Sequence, residues 1–242
     1  MYSQPYKKFI IFATPRSGTH MLRSSLMTHP NVVVHGEMFN PGTPAFLPYP
    51  LNETPDKILR NHIYHPFDKE THAVGFPIHD LQYFAPQNPH WSLVWDHLAK
   101  IDDLFIIRLR RQNLAEQFVS NVAAQHSGSW WLYYRKRPKA KPNKIYCKPF
   151  EMESYFTRLK ARQAEIESKF SSHGIIFVNY EVLITDYHAQ MKRIQDALGL
   201  TTMKLMPATT KQDRRILSDR LGNYYELKEY FEGTEYADYF IH

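Results

Sequence analysis

One stretch near the start of the chain limits its folding options more than any other: F-I-I-F-A-T-P-R-S-G-T-H-M-L, from Phe9 to Leu22. Phe9–Ala13 is a continuous apolar run that stops at turn residues. That pattern predicts a strand buried on both faces, as in a parallel sheet. From Gly18 onward, Met21, Leu22, Leu26 and Met27 fall at helical spacing and predict one apolar helix face. A buried strand that turns directly into a helix is a ready-made anion site. The first helical N–H groups lack intrahelical partners, and the helix dipole adds positive potential there. Arg16 contributes a full charge, Ser17, Thr19 and His20 contribute donors, and Gly18 permits close backbone approach. The turn is not the nucleoside triphosphate loop G-x-x-x-x-G-K-[ST], because it has one glycine with Arg upstream of it. The competing reading is an ordinary βα turn with a surface arginine.

Further along, His29-Pro30-Asn31 ends the first helix and Val32–Val34 reads as a second strand running into His35-Gly36-Glu37. Residues 40 to 70 are rich in Pro, Asn and His and read as a long excursion with short helices, for instance around Asp56–His62. Ala73–Ile78 is a third, short strand and Asp103–Ile107 a clear fourth, followed by a helix over Asn113–Ala124. Glu151–Phe170 carries apolar residues near helical spacing, Gly174–Asn179 is the next buried strand, and a helix over Asp186–Leu198 ends at Gly199. The last forty or so residues mix Lys, Arg, Tyr and Phe and are expected to wrap back over the core. Strand–helix alternation of this kind predicts an α/β fold with a doubly wound, mainly parallel sheet flanked by helices. No repeat or low-complexity linker breaks the chain, so residues 1–242 are expected to form one domain. Excursions at about 40–70 and 125–150 would shape an acceptor site.

A second cationic element follows the fourth strand in R-L-R-R-Q-N-L-A-E-Q-F-V-S, Arg108 to Ser120. Arg111 sits at the strand end, and Ser120 lies nine positions on (120 − 111 = 9) along the helix. A guanidinium and a hydroxyl offer several donors to one phosphate. The bland reading is a basic helix N-terminus with solvated arginines. Two such sites on neighbouring βα units predict a ligand with two separated phosphate-like groups.

Composition narrows the partners. The formal charge is +6 with 13 histidines besides, a modest excess that suits an anionic ligand and does not demand nucleic acid. The single cysteine, Cys147, excludes an internal disulfide framework and a Cys-based zinc site, and it fits a reducing compartment. No convincing metal-ligand cluster is visible. No apolar segment reaches the roughly 20 residues of a membrane span, and Phe9–Ala13 is too short for a signal-peptide core. These features predict a cytoplasmic protein without a membrane span.

T-P-R-S-G-T-H-M-L resembles the 5′-phosphosulfate loop of sulfotransferases that use 3′-phosphoadenosine 5′-phosphosulfate (PAPS). Arg111 and Ser120 resemble their 3′-phosphate site, and the nine-residue spacing is similar to the bacterial carbohydrate group, which includes trehalose 2-sulfotransferase and nodulation-factor sulfotransferases. H-P-N-V-V-V-H-G-E-M-F-N (His29–Asn40), V-N-Y-E-V-L (Val178–Leu183), K-Q-D-R-R-I-L (Lys211–Leu217) and L-G-N-Y-Y-E-L (Leu221–Leu227) extend the resemblance nearly end to end.

The resemblance implies a P-loop-like sulfotransferase fold and a set of roles. Arg16, Ser17, Gly18, Thr19 and His20 would hold the 5′-phosphosulfate, and Arg111 and Ser120 the 3′-phosphate. Lys211 and Gln212 would close over the nucleotide, and Tyr180 would contact the adenine. Glu37 matches the carboxylate assigned as catalytic base in the trehalose enzyme. PAPS would be co-substrate, 3′-phosphoadenosine 5′-phosphate the product, and no metal would be needed. The acceptor would be a small molecule or glycan, and a homodimer fits the family.

Arg16 stands where many cytosolic relatives carry Lys, as in the bacterial group. In G-F-P-I-H-D, Gly75 to Asp80, Pro77 replaces a frequent Lys, leaving His79 as the candidate for a cationic role on that strand. His35 and His79 are rival bases to Glu37. Arg16 and His20 would stabilise charge on the leaving phosphate.

Trp130, Trp131, Tyr133 and Tyr134 fit either an acceptor wall or core packing. The run R-K-R-P-K-A-K-P-N-K, Arg135–Lys144, fits either a solvated loop or a docking surface for an acidic acceptor. Three other functions compete: a P-loop-like kinase, which needs the absent GK[ST] loop and Mg²⁺; a non-catalytic nucleotide or polyanion binder; and a nucleic-acid-binding module acting through Arg135–Lys144.

Overall fold

The computed structural model describes residues 6–40, 53–80, 93–130, 144–209 and 213–241. Five strands form one sheet in the order β2-β3-β1-β4-β5, with β1 (Lys7–Ala13), β2 (Val32–Val34), β3 (Ala73–His79), β4 (Phe105–Arg110) and β5 (Gly174–Asn179). Every pairing is parallel. This is the doubly wound α/β architecture expected from the sequence.

The central strand shows why its sequence is so uniformly apolar. Phe9, Ile11 and Ala13 face one side of the sheet, and Ile10 and Phe12 the other, all five fully buried. On the first side they meet α1 (Thr19–Leu26) and α7 (Tyr187–Ala197) through Leu22, Leu26, Met191 and Ile194. On the second they meet α3 (Val94–Ala99) and the C-terminal half of α5 (Pro149–Ser168) through Trp95, Leu98 and Ile166. A strand covered on both faces has no position at which polarity is cheap.

Pro77 sits inside β3 and pairs with Ile11. Gly75 turns its carbonyl to the β2 side, accepting from His35 N at 2.9 Å. Two residues on, Pro77 points the same way, beyond the last β2 pairing at Val34. The missing N–H therefore breaks no ladder bond.

The fourth strand lies later in sequence than expected. Asp103 belongs to a turn and pairs with Lys8 at the surface, and the strand runs on through Arg108 to Arg110. A charged strand residue is tolerated because Arg108, 1% exposed, lies 4.0 Å over the Phe12 ring and donates to Glu167 Oε1 at 2.6 Å. The reading of these arginines as solvated is corrected accordingly for Arg108 and, below, for Arg111.

Among the helices, α4 (Leu114–Ser127) starts one residue after the expected position. Asn113 is its N-cap and accepts from Glu116 N at 2.8 Å. Met27, expected on the apolar face of α1, is 51% exposed, and Thr19, Leu22, Ser25 and Leu26 form the buried face. The helix expected near Asp56–His62 is α2 (Pro55–Ile58), continued by a π-helical turn over Leu59–Ile63. Helices α3 and α6 (Tyr180–Thr185) had no clear sequence signal, and neither had the two short helices of the C-terminal segment.

The C-terminal segment wraps back as expected. It contributes α8 (Leu217–Arg220), α9 (Tyr224–Phe231) and a 3₁₀ turn at Ala237–Phe240, which pack on α4 and α5 around Phe156, Leu227, Phe231 and Phe240. Among the described residues no helix is long and apolar enough to cross a membrane.

Candidate active site

The T-P-R-S-G-T-H turn lies at the carboxyl end of β1, where open parallel sheets place ligands. Ser17 N closes it by donating to the Thr14 carbonyl at 3.2 Å. Arg16 adopts φ 71°, a left-handed conformation that costs a non-glycine residue about 1–2 kcal/mol. Arg111 Nη1 donates to the Arg16 carbonyl at 3.3 Å, and Gln117 Nε2 donates to the Pro15 carbonyl and to Ser17 Oγ, each at 2.9 Å. Two residues of the next βα unit therefore hold the turn open.

Gly18, at φ 91°, caps α1. A Cβ there would lie 2.6 Å from the Tyr180 ring, so the turn and that ring approach more closely than any side chain would allow. The α1 N-terminus has no side-chain cap and no acidic residue in its first turn. The buried Thr19 Oγ1 finds no hydrogen-bond partner among the described residues. By contrast, the start of α4 is already satisfied: Glu181 accepts from Gln112 N and Asn113 N, and Glu116 sits in the first turn. Among the described residues, only the second of these two helix starts has a side-chain cap and an acidic first turn.

The two predicted anion elements are joined rather than separate. Arg16 Nε donates to Ser120 Oγ at 3.1 Å, and Arg16 Nη1 donates to the Trp130 carbonyl. Arg111 lies 4.9 Å over the Tyr180 ring and donates to Glu116 Oε2 at 2.9 Å. Its side chain is 7% exposed, not solvated. Burial and the neighbouring Arg111 charge lower the Arg16 pKa to about 10.

On the other side of the turn stands a carboxylate between two imidazoles. Glu37 follows β2 and is fixed by a local turn in which Asn40 Nδ2 donates to Glu37 Oε2 at 2.6 Å. His79, the last residue of β3, brings Nε2 to 3.1 Å from Glu37 Oε1, and His20 Nε2 lies 3.6 Å from the same oxygen. Burial alone would raise the Glu37 pKa, but His79 and Asn40 outweigh it and hold it at about 2. His79, though buried, is raised by the Glu37 charge and hydrogen bond. His20 is lowered to about 4, chiefly by burial, which Glu37 only partly offsets. The group therefore combines an anionic Glu37 and a His79 whose protonated form is favoured by that charge with an imidazole, His20, that is neutral at neutral pH.

His35 does not share this group. Its ring packs 6.2 Å from Phe67, and its charge interactions are with His65 and Arg23. His62 pairs with Glu53 at 3.0 Å. Among the described residues no group of three or more His, Cys, Asp or Glu side chains could hold a metal ion.

Thus Arg16, Ser17, Gly18, Thr19, His20, Glu37, Arg111, Ser120 and Tyr180 converge on one end of the sheet. Lys211, Gln212, Trp131, Tyr133, Tyr134 and residues 135–143 lie outside the described residues. Sequence reasoning missed Asn40, Gln117, Glu116 and Arg220. Asn40 had a weak signal, the turn-forming spacing E-M-F-N. Glu116 lies five residues from Arg111, while Gln117 and Arg220 act across about 100 residues.

Fold and site together define a parallel α/β protein with an open, cationic strand–turn–helix element beside a carboxylate–imidazole pair. No protein-family model matches the chain. It is 29% identical to Nodulation protein H of Rhizobium tropici over 245 residues, which covers 96% of the chain and 92% of that protein. Identity to Nodulation protein H of Rhizobium meliloti (strain 1021) is 28% over 250 residues, covering 98% and 96%. Among solved structures, a sulfotransferase from Alicyclobacillus acidocaldarius aligns with a TM-score of 0.47 at 13% identity, covering 94% of this chain and 92% of that one.

Proposed function

We propose that the protein moves a sulfuryl group from PAPS to a hydroxyl of a carbohydrate or glycolipid acceptor. The single observation that carries this reading is the uncapped α1 N-terminus under a left-handed Arg16, next to the Glu37–His79 pair. The near end-to-end similarity to two rhizobial proteins named Nodulation protein H, and the resemblance of the quoted motifs to PAPS-dependent enzymes, support it.

In this reading the α1 N–H groups, Arg16, Ser17 and Thr19 bind the phosphosulfate, with Gly18 giving backbone access. Arg111 and Ser120 bind the 3′-phosphate. Tyr180, held between Gly18 and Arg111, faces the nucleotide, and the resemblance assigns Lys211 and Gln212 to the same ligand.

The acceptor oxygen attacks sulfur as the bond from sulfur to the bridging oxygen breaks. The electron pair of that bond goes to the phosphate. Arg16 and neutral His20, as an N–H donor, stabilise the charge that develops there. An alcohol proton becomes strongly acidic once its oxygen bonds to sulfur. Glu37, a weak base, then accepts it late in the transfer. His79 keeps Glu37 anionic until that moment. The products are a sulfate ester, 3′-phosphoadenosine 5′-phosphate and a proton.

Transfer of label from radiolabelled PAPS to a panel of carbohydrate acceptors, with Glu37→Gln alongside, tests the reaction. Label transfer by wild type, lost in the variant, is the expected result. Phosphoryl transfer from ATP–Mg²⁺ in the same panel would replace this reading by the kinase.

A further inference from the structure

Glu116 is the meeting point of two buried arginines. Its Oε2 accepts from Arg111 Nη2 at 2.9 Å and from Arg220 Nη2. The Arg111 and Arg220 side chains are 7% and 5% exposed, against 18% for Glu116. Arg220 closes α8 and its carbonyl accepts from Ile145 N at 2.8 Å, so the C-terminal segment is fastened into the group that carries Arg111.

Two cations on one carboxylate leave one positive charge over, and the further neighbours of Arg111, Glu181 and Arg16, carry opposite charges and leave that balance unchanged. At this burial it is weakly screened. The Nε atoms of both arginines are buried with no hydrogen-bond partner among the described residues, although buried donors normally find one. The group lacks both an acceptor and a negative charge.

We infer that Arg220 is a positioning residue for anion capture: it offsets Glu116, so that Glu116 holds Arg111 in place without neutralising it. An Arg111–Glu116 pair alone would be electrically closed and would compete with an incoming phosphate. This inference rests on the reading of Arg111 as the 3′-phosphate residue.

The test is calorimetric titration of the full chain with 3′-phosphoadenosine 5′-phosphate and with AMP. The ratio of the two Kd values isolates the 3′-phosphate. Arg220→Met is expected to cut that ratio about tenfold, with the AMP Kd within about twofold of wild type. Arg220→Met combined with Glu116→Gln restores the charge count and is expected to recover most of the ratio. Thermal unfolding of each variant checks that it is folded.

An unchanged ratio in Arg220→Met, or a double variant as weak as the single one, overturns the proposal and leaves the donor reading standing. Should Arg220→Met not fold, Glu116→Gln alone decides: it is expected to hold or raise the ratio, and a fall overturns the proposal. A wild type that does not prefer the bisphosphate to AMP removes the donor reading, and this inference with it.

Discussion

Arg16 Nε donates to Ser120 Oγ at 3.1 Å, linking residues 104 apart in sequence. The residue placed by its motif at the phosphosulfate thus touches the residue placed at the 3′-phosphate. In the proposed function one hydroxyl would serve both subsites. Ser120→Ala is expected to weaken binding of 3′-phosphoadenosine 5′-phosphate about tenfold, the worth of one hydrogen bond to a charged group. AMP binding should change less. Titration calorimetry reads both, and equal losses for the two ligands would contradict a role at the 3′-phosphate.

Glu37 is held by His79 and Asn40 and does not belong to the anion-binding turn. Glu37→Gln keeps the shape and removes the proposed base. Turnover should fall about 10²–10⁴-fold, the usual range for a lost general base. Nucleotide affinity should stay within about threefold, a change too small to signal a lost charged contact. Parallel loss of binding would mean that Glu37 shapes the nucleotide site instead.

The pKa values of the two imidazoles beside Glu37 should be shifted in opposite directions. His20, buried, stays neutral down to about pH 4, while His79 keeps its proton above the ordinary 6.5. For Glu37, whose pKa is depressed to about 2, the stability it contributes is present above its unfolded value of 4.5 and is lost as pH falls towards 2. For His79, raised on folding, the contribution is present below 6.5 and is lost as pH rises through its folded value. The pair is therefore intact across the interval between them. NMR titration of the histidine rings checks this. In Glu37→Gln burial remains and the Glu37 charge is gone, with Asp80 and the Ala13 backbone still raising His79, so His79 should titrate lower than in wild type.

Gly18→Ala meets two obstacles, a φ of 91° and a Tyr180 ring carbon at 2.6 Å. Denaturant unfolding should show a loss of about 1–3 kcal/mol, in line with strain at a left-handed position. Nucleotide affinity should fall with it, because the Tyr180 ring must move off the turn. A variant with wild-type stability would show that the ring yields freely.

Arg108→Met removes the cation from a buried pair and leaves Glu167 with Arg110 alone. Breaking such a pair costs about 3–5 kcal/mol, though the apolar replacement and the surviving Arg110 contact should keep the loss near the lower end. Thermal unfolding measures it.

Much of this was legible in the residues. The run Phe9–Ala13 had to be a doubly covered strand, and the turn after it had to open a helix, because both signals are local. Gly199, at φ 71°, as a helix stop is local too. What was not legible depends on partners far away in sequence. Arg108 reads as a surface charge until Glu167 and Phe12 enclose it. His79 reads as a rival of Glu37 until β3 brings the two together as a pair. Arg220 carries no motif and gains its place only when the C-terminal segment packs on α4. Helix α6 is short and follows a strand directly, so neither its period nor a cap announces it.

The most direct test of the donor assignment is calorimetric binding of 3′-phosphoadenosine 5′-phosphate, in the presence of a chelator, against ATP–Mg²⁺ and AMP, with wild type and Arg111→Ala. The account predicts tight, metal-independent binding of the bisphosphate that weakens in the variant. ATP–Mg²⁺ binding as well or better, or no nucleotide binding at all, would contradict it.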